Sequence, residues 1–294
     1  MHRVVISGVT GHLGRELALQ LAQADIEVHG LTRQAAATSF PEITNIHRID
    51  GRTEPLVTLF QQIKPTAVIH LAALARREHR LEDIAAFNHT NILFGTQLLE
   101  AARQSDCYSF ITAGSYLQYS ATGEYRPFNL YSATKQAFEC VLRYYVDACE
   151  FAASVLTLCN VYGELDPRPT LITDMAAACS QRRSITMHGA EAWIDPIHVS
   201  DAASAFVQAL LLMNDSAAHT GDLRHYSVTC GRDVSSSELA MLFERITGHS
   251  LSIDGDNKRA SRRLKPWRGA LVPGWTPRVS LEEGLARVLR HQFK

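Results

Sequence analysis

Tyr131 and Lys135 stand four residues apart in Tyr131-Ser132-Ala133-Thr134-Lys135, a spacing that puts both side chains on one face of a helix. An unperturbed phenol titrates near ~10, so it needs help to exchange a proton at neutral pH. A neighbouring ammonium stabilises the phenolate and supplies that help. Sixteen residues upstream, Ser115 closes the run Phe110-Ile111-Thr112-Ala113-Gly114. There its hydroxyl can bond a carbonyl held beside the tyrosine. Together the three read as a set that moves a proton on or off a carbonyl or alcohol oxygen. Taken singly, Tyr131 and Lys135 could equally be an aromatic–cation pair.

A second group could hold a cofactor. Val4-Val5-Ile6 runs into Gly8-Val9-Thr10-Gly11-His12-Leu13-Gly14, and a helix follows. Glycines allow a tight turn and close approach of the backbone to a pyrophosphate, and the helix N-terminus offers unpaired N–H groups to the anion. The order strand, glycine loop, helix therefore points to dinucleotide binding. At the end of the second apolar run, His29-Gly30-Leu31-Thr32-Arg33 has no carboxylate for a ribose 2′-hydroxyl. Arg33 can instead pair with a 2′-phosphate, which favours NADP over NAD; the bland alternative is a solvated arginine. Asp50, before Gly51, is placed to accept from an adenine amino group or simply to make a turn. His70-Leu71-Ala72-Ala73 ends another apolar run in small residues, against which a cofactor can lie.

Other classes are disfavoured. The thirteen histidines show no metal-ligand spacing and the six cysteines form no C-x-x-C pair, so no metal is expected. A formal net charge of -1 gives no global pull toward nucleic acid or an anionic membrane. No apolar stretch approaches a membrane-spanning length, and the N-terminus lacks a secretory signal, so a cytoplasmic location is expected. Lys258, Arg259, Arg262, Arg263, Lys265 and Arg268 form a basic run without interleaved aromatics, suited to phosphate rather than to nucleic acid. Arg76-Arg77-Glu78-His79-Arg80 could reach phosphates or simply begin a helix. His198 reads as structural, and Trp267 and Trp275 as packing residues.

Alternating elements must position these groups. Strands are expected at 3–7, 27–31, 45–49, 67–71, 108–112 and 153–158. Helices are expected at 14–24, 54–63, 84–104 and 132–149. Strands alternating with helices imply a doubly wound α/β fold of the Rossmann type, a parallel sheet covered on both faces. After Gly163 the alternation breaks at Asp166-Pro167-Arg168-Pro169. Helices at 171–181, 200–213, 236–247 and 281–289 follow, mixed with short strands. The expected division is a dinucleotide domain over 1–165, with 195–213 returning to it, and a smaller mixed substrate region over 166–294.

The chain resembles the extended short-chain dehydrogenases/reductases, the NAD-dependent epimerase/dehydratase family. The resemblance runs nearly end to end: the glycine loop, His70-Leu71-Ala72-Ala73, Thr90-Asn91, Ser115, Tyr131 and Lys135, Asn160-Val161-Tyr162-Gly163, Ile197-His198-Val199-Ser200-Asp201, and Gly274-Trp275-Thr276-Pro277. It implies an NAD(P) site that includes Asn91, Tyr131 and Lys135. It also implies a nucleotide-diphosphate sugar as substrate, and a homodimer formed through two long helices. Within the family, the residues around Ser115 and Tyr131 resemble the reductases of nucleotide-linked 4-keto-6-deoxy sugars, such as the CDP-abequose and CDP-paratose synthases.

That likeness implies reduction of a 4-keto sugar by NADPH. Tyr131 would be the acid, Lys135 its modulator, and Ser115 the group that orients the carbonyl. Ser115, Tyr116 and Asn160 would meet the sugar, and Arg263 would meet the diphosphate. Tyr116 and Leu117 stand where the family's dehydratases carry an Asp-Glu pair, which argues against dehydration. Ile194 replaces an arginine that commonly precedes the aspartate aligned with Asp195. The interval from Ser115 to Tyr131 is shorter than in typical 4-epimerases. The alternatives are an epimerase that retains NAD and a non-catalytic NADP sensor.

Overall fold

The strand-forming runs assemble in the order that the alternation implies. The structure is a computed structural model that describes residues 2–33, 43, 45–186, 193–215, 221–249, 251, 253–254 and 266–292. Its strands are β1 (Arg3–Ser7), β2 (Glu27–Thr32), β3 (Asn45–Arg48), β4 (Ala67–His70), β5 (Ser109–Ser115), β6 (Ala152–Leu158), β7 (Asn160–Tyr162), β8 (Ile185–Thr186), β9 (Trp193–Ile194), β10 (Pro196–His198), β11 (Leu223–Val228), β12 (Val234–Ser235) and β13 (Ile253–Asp254). Its helices are α1 (His12–Gln23), α2 (Thr53–Ile63), α3 (Asp83–Asn88), α4 (Phe94–Arg103), α5 (Leu130–Cys149), α6 (Leu171–Gln181), α7 (Val199–Asp215), α8 (Ser236–Thr247) and α9 (Leu281–Gln292).

Seven strands form one sheet in the order β11-β6-β5-β4-β1-β2-β3, and every neighbouring pair is parallel. Chain order reverses between β1 and β4, so a crevice opens beyond their carboxyl ends, where ligands bind in such sheets. The glycine loop leaves β1 there, and Leu71-Ala72-Ala73 leaves β4 beside it. Both faces of the sheet are covered. Val4 and Ile6 pack with Leu17 and Leu21 of α1 and with Phe206 and Leu210 of α7. Val5, on the opposite face, packs with Phe60 of α2, Leu98 of α4 and Phe138 and Leu142 of α5. Successive side chains of a strand point to opposite faces, which is why these strands read as unbroken apolar runs. A third cluster unites Met175 of α6, Phe243 of α8 and Leu285 and Val288 of α9. Short two-stranded pairings, β7 with β10, β9 with β12 and β8 with β13, accompany it.

Three expectations need correction. The helix expected at 84–104 is interrupted by a π-turn, His89–Leu93, between α3 and α4. The helix carrying Tyr131 begins at Leu130, not Ser132, because Asn129 caps it. Its Oδ1 accepts from the Ser132 N–H (3.0 Å), and Ser132 Oγ accepts from the Asn129 N–H (3.1 Å). Finally, β11, from the region after 165, joins the main sheet against β6. The region after residue 165 therefore lends the sheet a strand as well as α7. Among the described residues no helix is long and apolar enough to cross a membrane.

Candidate active site

The N-terminal cap of α5 places Tyr131 in the first turn of the helix and Lys135 one turn on. Ser115, the last residue of β5, is itself a cap. Its Oγ accepts from the Leu117 N–H (3.3 Å), and its own N–H donates to Gln118 Oε1 (2.8 Å). These two anchors hold Ser115 close enough to Tyr131 to favour its ionised form. Burial pushes the Tyr131 phenol up to about 12, and the nearby Ser115 hydroxyl and the Arg168 charge oppose it. Lys135 is 3% exposed. Burial draws its ammonium down to about 8, against the opposing charge of Glu139. Tyr131 is thus held as a neutral phenol at neutral pH, beside a lysine that is still mostly protonated.

Beneath Lys135 lies His70, wholly buried against Phe94 and Phe138. Burial, then the Lys135 charge, lowers its imidazole to about 3, so it stays neutral. His70 Nδ1 and Ser7 Oγ share a 2.6 Å hydrogen bond, while Ser7 Oγ accepts from the Ala72 N–H (3.4 Å). This ties the carboxyl ends of β1 and β4 together at the crevice.

The glycine loop has the form a dinucleotide diphosphate needs. Gly8 has φ +75°, and a Cβ there would lie 2.7 Å from the Ala72 nitrogen. A Cβ on Gly14 would lie 2.2 Å from the Gly8 oxygen. Neither position admits a side chain without moving backbone. No side chain caps α1 at Gly11, and no acidic residue stands in its first turn. Its N–H groups and positive dipole end are thus available to an anion. Thr10, His12 and Leu13 are all partly exposed along the loop.

The other expected cofactor residues fall into two groups. Leu71, Ala72 and Ala73 line the crevice, with the Leu71 N–H bonded to the Ser7 oxygen (3.1 Å). Arg33 is exposed at the end of β2. Asp50 is turned to a protein partner: its carboxylate accepts from Arg52 N (3.0 Å) and Nε (2.6 Å). Those bonds hold its carboxyl below the usual range. Gly51 gives its carbonyl to Gln97 Nε2 (2.9 Å). A cleft of about 610 Å³ takes in Asp50, Gly51, Leu56, Phe94 and Gln97 at this edge of the sheet, but none of Ser115, Tyr131 and Lys135. Asn91, at the π-turn, has protein partners. Its Oδ1 accepts from Leu74 N (2.7 Å), and its Nδ2 donates to Leu74 O (3.1 Å) and Thr134 Oγ1 (2.9 Å). These bonds clamp the loop after β4 to α5.

Of the expected substrate residues, Tyr116 and Asn160 meet beside Ser115, with Asn160 Nδ2 3.4 Å from the Tyr116 hydroxyl. Arg263 lies outside the described residues, as do Lys258, Arg259, Arg262 and Lys265. Arg268, the described member of the basic run, is engaged elsewhere. Its Nε donates to Asp195 Oδ2 (2.6 Å) and its Nη2 pairs with Asp233. Arg76 likewise pairs with Asp83 (2.5 Å) at the start of α3. Among the described residues no cluster of ligating side chains could hold a metal ion.

Arg168 is a site residue that the sequence did not mark. Asp166 (2.7 Å) and the Val161 oxygen (2.9 Å) fix its guanidinium, and its charge reaches both Tyr131 and His12. Asp166-Pro167-Arg168-Pro169 carries an ordinary turn signature, which conceals the electrostatic role.

The profile of the NAD dependent epimerase/dehydratase family matches residues 4–223. A UDP-glucose 4-epimerase of Mycolicibacterium smegmatis is 24% identical, over 98% of this chain and 97% of its own. A CDP-abequose synthase of Salmonella typhimurium is 20% identical, over 98% and 97%. Among solved structures, a UDP-glucose 4-epimerase from Brucella ovis in complex with NAD superposes with a TM-score of 0.88 at 21% identity, over 100% of this chain and 99% of that one.

Proposed function

The chain belongs to the NAD dependent epimerase/dehydratase family, and on that footing we propose that it acts at a ring carbon of a nucleotide-diphosphate sugar, with Tyr131 exchanging a proton at the oxygen of that carbon. The observation that carries the proposal is the placement of Ser115, at the end of β5, close enough to Tyr131 to act on its phenol, with Lys135 one turn further along α5 and the glycine cradle at the same end of the sheet. A nicotinamide cofactor, when bound, supplies the hydride acceptor or donor. Ser115 orients the sugar oxygen, Tyr131 gives or takes its proton, and Lys135 keeps a positive charge close to the phenol. Glycines 8, 11 and 14 and the open end of α1 would hold the cofactor diphosphate.

The similar epimerases favour 4-epimerisation as the complete reaction. In that case the Tyr131 phenol first releases its proton to solvent, the phenolate takes the hydroxyl proton as the sugar alcohol is oxidised, and the ketone is then reduced on its other face with Tyr131 returning that proton. Cofactor redox state is restored at the end. One observation favours a second completion, reduction of a 4-keto sugar by NADPH. Arg33 stands exposed at the end of β2, and the described part of that strand end carries no carboxylate for a ribose hydroxyl. In that reaction Tyr131 gives its proton to the carbonyl oxygen and is reprotonated from solvent.

Two measurements on the purified protein separate these. An epimerase carries bound NAD and interconverts sugar epimers with no net change in nicotinamide absorbance. A reductase is isolated with little cofactor and consumes one NADPH per sugar reduced. Product stoichiometry across UDP-, dTDP-, CDP- and GDP-linked hexoses and their 4-keto forms decides the matter, and turnover with none of them contradicts both.

A further inference from the structure

Glu139 is a buried acid for which proton exchange at Tyr131 has no direct use. It follows Lys135 by one helical turn, so Tyr131, Lys135 and Glu139 lie at i, i+4 and i+8 along one face of α5. Glu139 is 5% exposed and Gln118 is fully buried. Glu139 Oε1 accepts from Gln118 Nε2 (2.6 Å), and Oε2 stands 3.2 Å from His225 Nε2 on β11. Gln118 Nε2 also donates to Gln136 Oε1 (3.0 Å), and Gln118 Oε1 accepts the Ser115 N–H (2.8 Å).

An ionised carboxylate only accepts hydrogen bonds. Glu139 therefore fixes which end of the Gln118 amide faces it, and so turns the amide oxygen toward Ser115. A flipped amide would set an N–H against the Ser115 N–H and an oxygen against the carboxylate. Glu139 also bears on the other half of the reactive pair. Among the described residues no carboxylate pairs directly with Lys135, and the Glu139 charge is the one that opposes the effect of burial on its ammonium.

We propose that Glu139 is a positioning residue of this site: its carboxylate orients Gln118 to hold the Ser115 backbone and sets a negative charge one helical turn from the buried Lys135. The proposal rests on the reading of Ser115, Tyr131 and Lys135 as the reactive set. The groups that face this pair from the surrounding elements are few. From β4 comes His70, neutral as described above. Tyr131 lies on α5 itself, and His225 comes from β11. Tyr119, whose phenol burial and then the Glu139 charge push upward, and Tyr125, raised by burial, then by Cys140 of α5 and by Glu139, follow β5.

The test uses the full chain without substrate or cofactor. Only five lysines are present, Lys64, Lys135, Lys258, Lys265 and Lys294, so a carbon-13-lysine sample resolves Lys135, identified by its loss in Lys135→Arg. Its side-chain resonance is followed against pH in the native protein and in Glu139→Gln. That substitution keeps an oxygen for Gln118 and removes the charge. With burial unopposed, the Lys135 midpoint is expected to fall by about one pH unit or more, a tenfold change in the protonation ratio. An unchanged midpoint overturns the proposal.

A second measurement needs no variant. In the native protein the Glu139 carboxyl carbon should inflect at the pH at which Lys135 loses its proton, and a flat trace there overturns the proposal equally. Glu139→Ala should speed hydrogen exchange of the Ser115 amide about tenfold or more, as Gln118 is released. A Lys135 midpoint that falls as expected in a protein inactive on every nucleotide sugar supports the role of Glu139 while contradicting the proposed reaction.

Discussion

Ser115, Tyr131 and Lys135 were legible because their types and intervals carry the chemistry: a phenol and an amine one turn apart need no long-range information to meet. Their environment was not legible. That Arg168 would face the phenol depends on Asp166 and the Val161 carbonyl holding a guanidinium in place. That Asn91 would bond Leu74 and Thr134 depends also on how the π-turn packs against α5. Asp50 is likewise turned to Arg52. Which partner a polar side chain finds is a property of packing, and sequence spacing does not contain it. At this scale the lowered lysine has a consequence. Lys135 titrates at about 8 where an exposed lysine titrates at 10.5, so the ammonium is present below that pH and lost above it. If the ammonium supports proton exchange at Tyr131, turnover should be level near neutrality and fall as pH rises through about 8. A rate profile flat to pH ~10, the ordinary lysine range, would remove Lys135 from the reaction.

The elements followed from apolar periodicity wherever a strand or helix is buried on a constant face. β1, α6 and α8 match their expected limits, since Val4, Ile6, Met175, Leu239 and Phe243 each mark an inward face. The misses have local causes. A capping pair at Asn129 and Ser132 starts α5 early, and the π-turn at 89–93 adds a residue that no 3.6-residue pattern anticipates. Contacts between elements also set a pH dependence. Glu100 on α4 accepts from Arg103 Nη2 (2.7 Å), Gln104 Nε2 (2.9 Å) and the Tyr145 hydroxyl of α5 (3.1 Å). The Arg103 bond leads in lowering its carboxyl from 4.5 to about 2. A carboxyl lowered in the folded state stabilises above its unfolded value, and that contribution fades as pH falls from 4.5 through about 2. Glu100→Gln should therefore unfold more readily than the native chain near neutrality. The gap in urea midpoint should close toward pH ~2; a gap independent of pH would show that the charge plays no part.

Over the whole molecule, the alternation of strands and helices was enough for a doubly wound parallel sheet, but not for its last strand. Leu223–Val228 lies after α7, in the part of the chain where the strand–helix alternation has broken, and nothing local distinguishes a strand that joins the main sheet from one in a peripheral pairing. The partner is decided by the free edge of β6, some seventy residues earlier. The core over β1 likewise includes Ile197, Phe206, Leu210, Val228 and Trp275. A fragment of residues 1–165 would lack α7 from one covering face, leaving α1 there, and would expose the β6 edge. It should show no cooperative urea transition, whereas a sharp one would mean that the first part folds alone. The intact protein is also where the central claim is decided, by comparing native chain and Tyr131→Phe for sugar turnover across the nucleotide-linked hexoses and their 4-keto forms. The account requires native turnover on at least one of them and a loss of about a hundredfold or more in Tyr131→Phe, close to 3 kcal/mol in barrier, with cofactor binding retained. Equal turnover by the two proteins would contradict it.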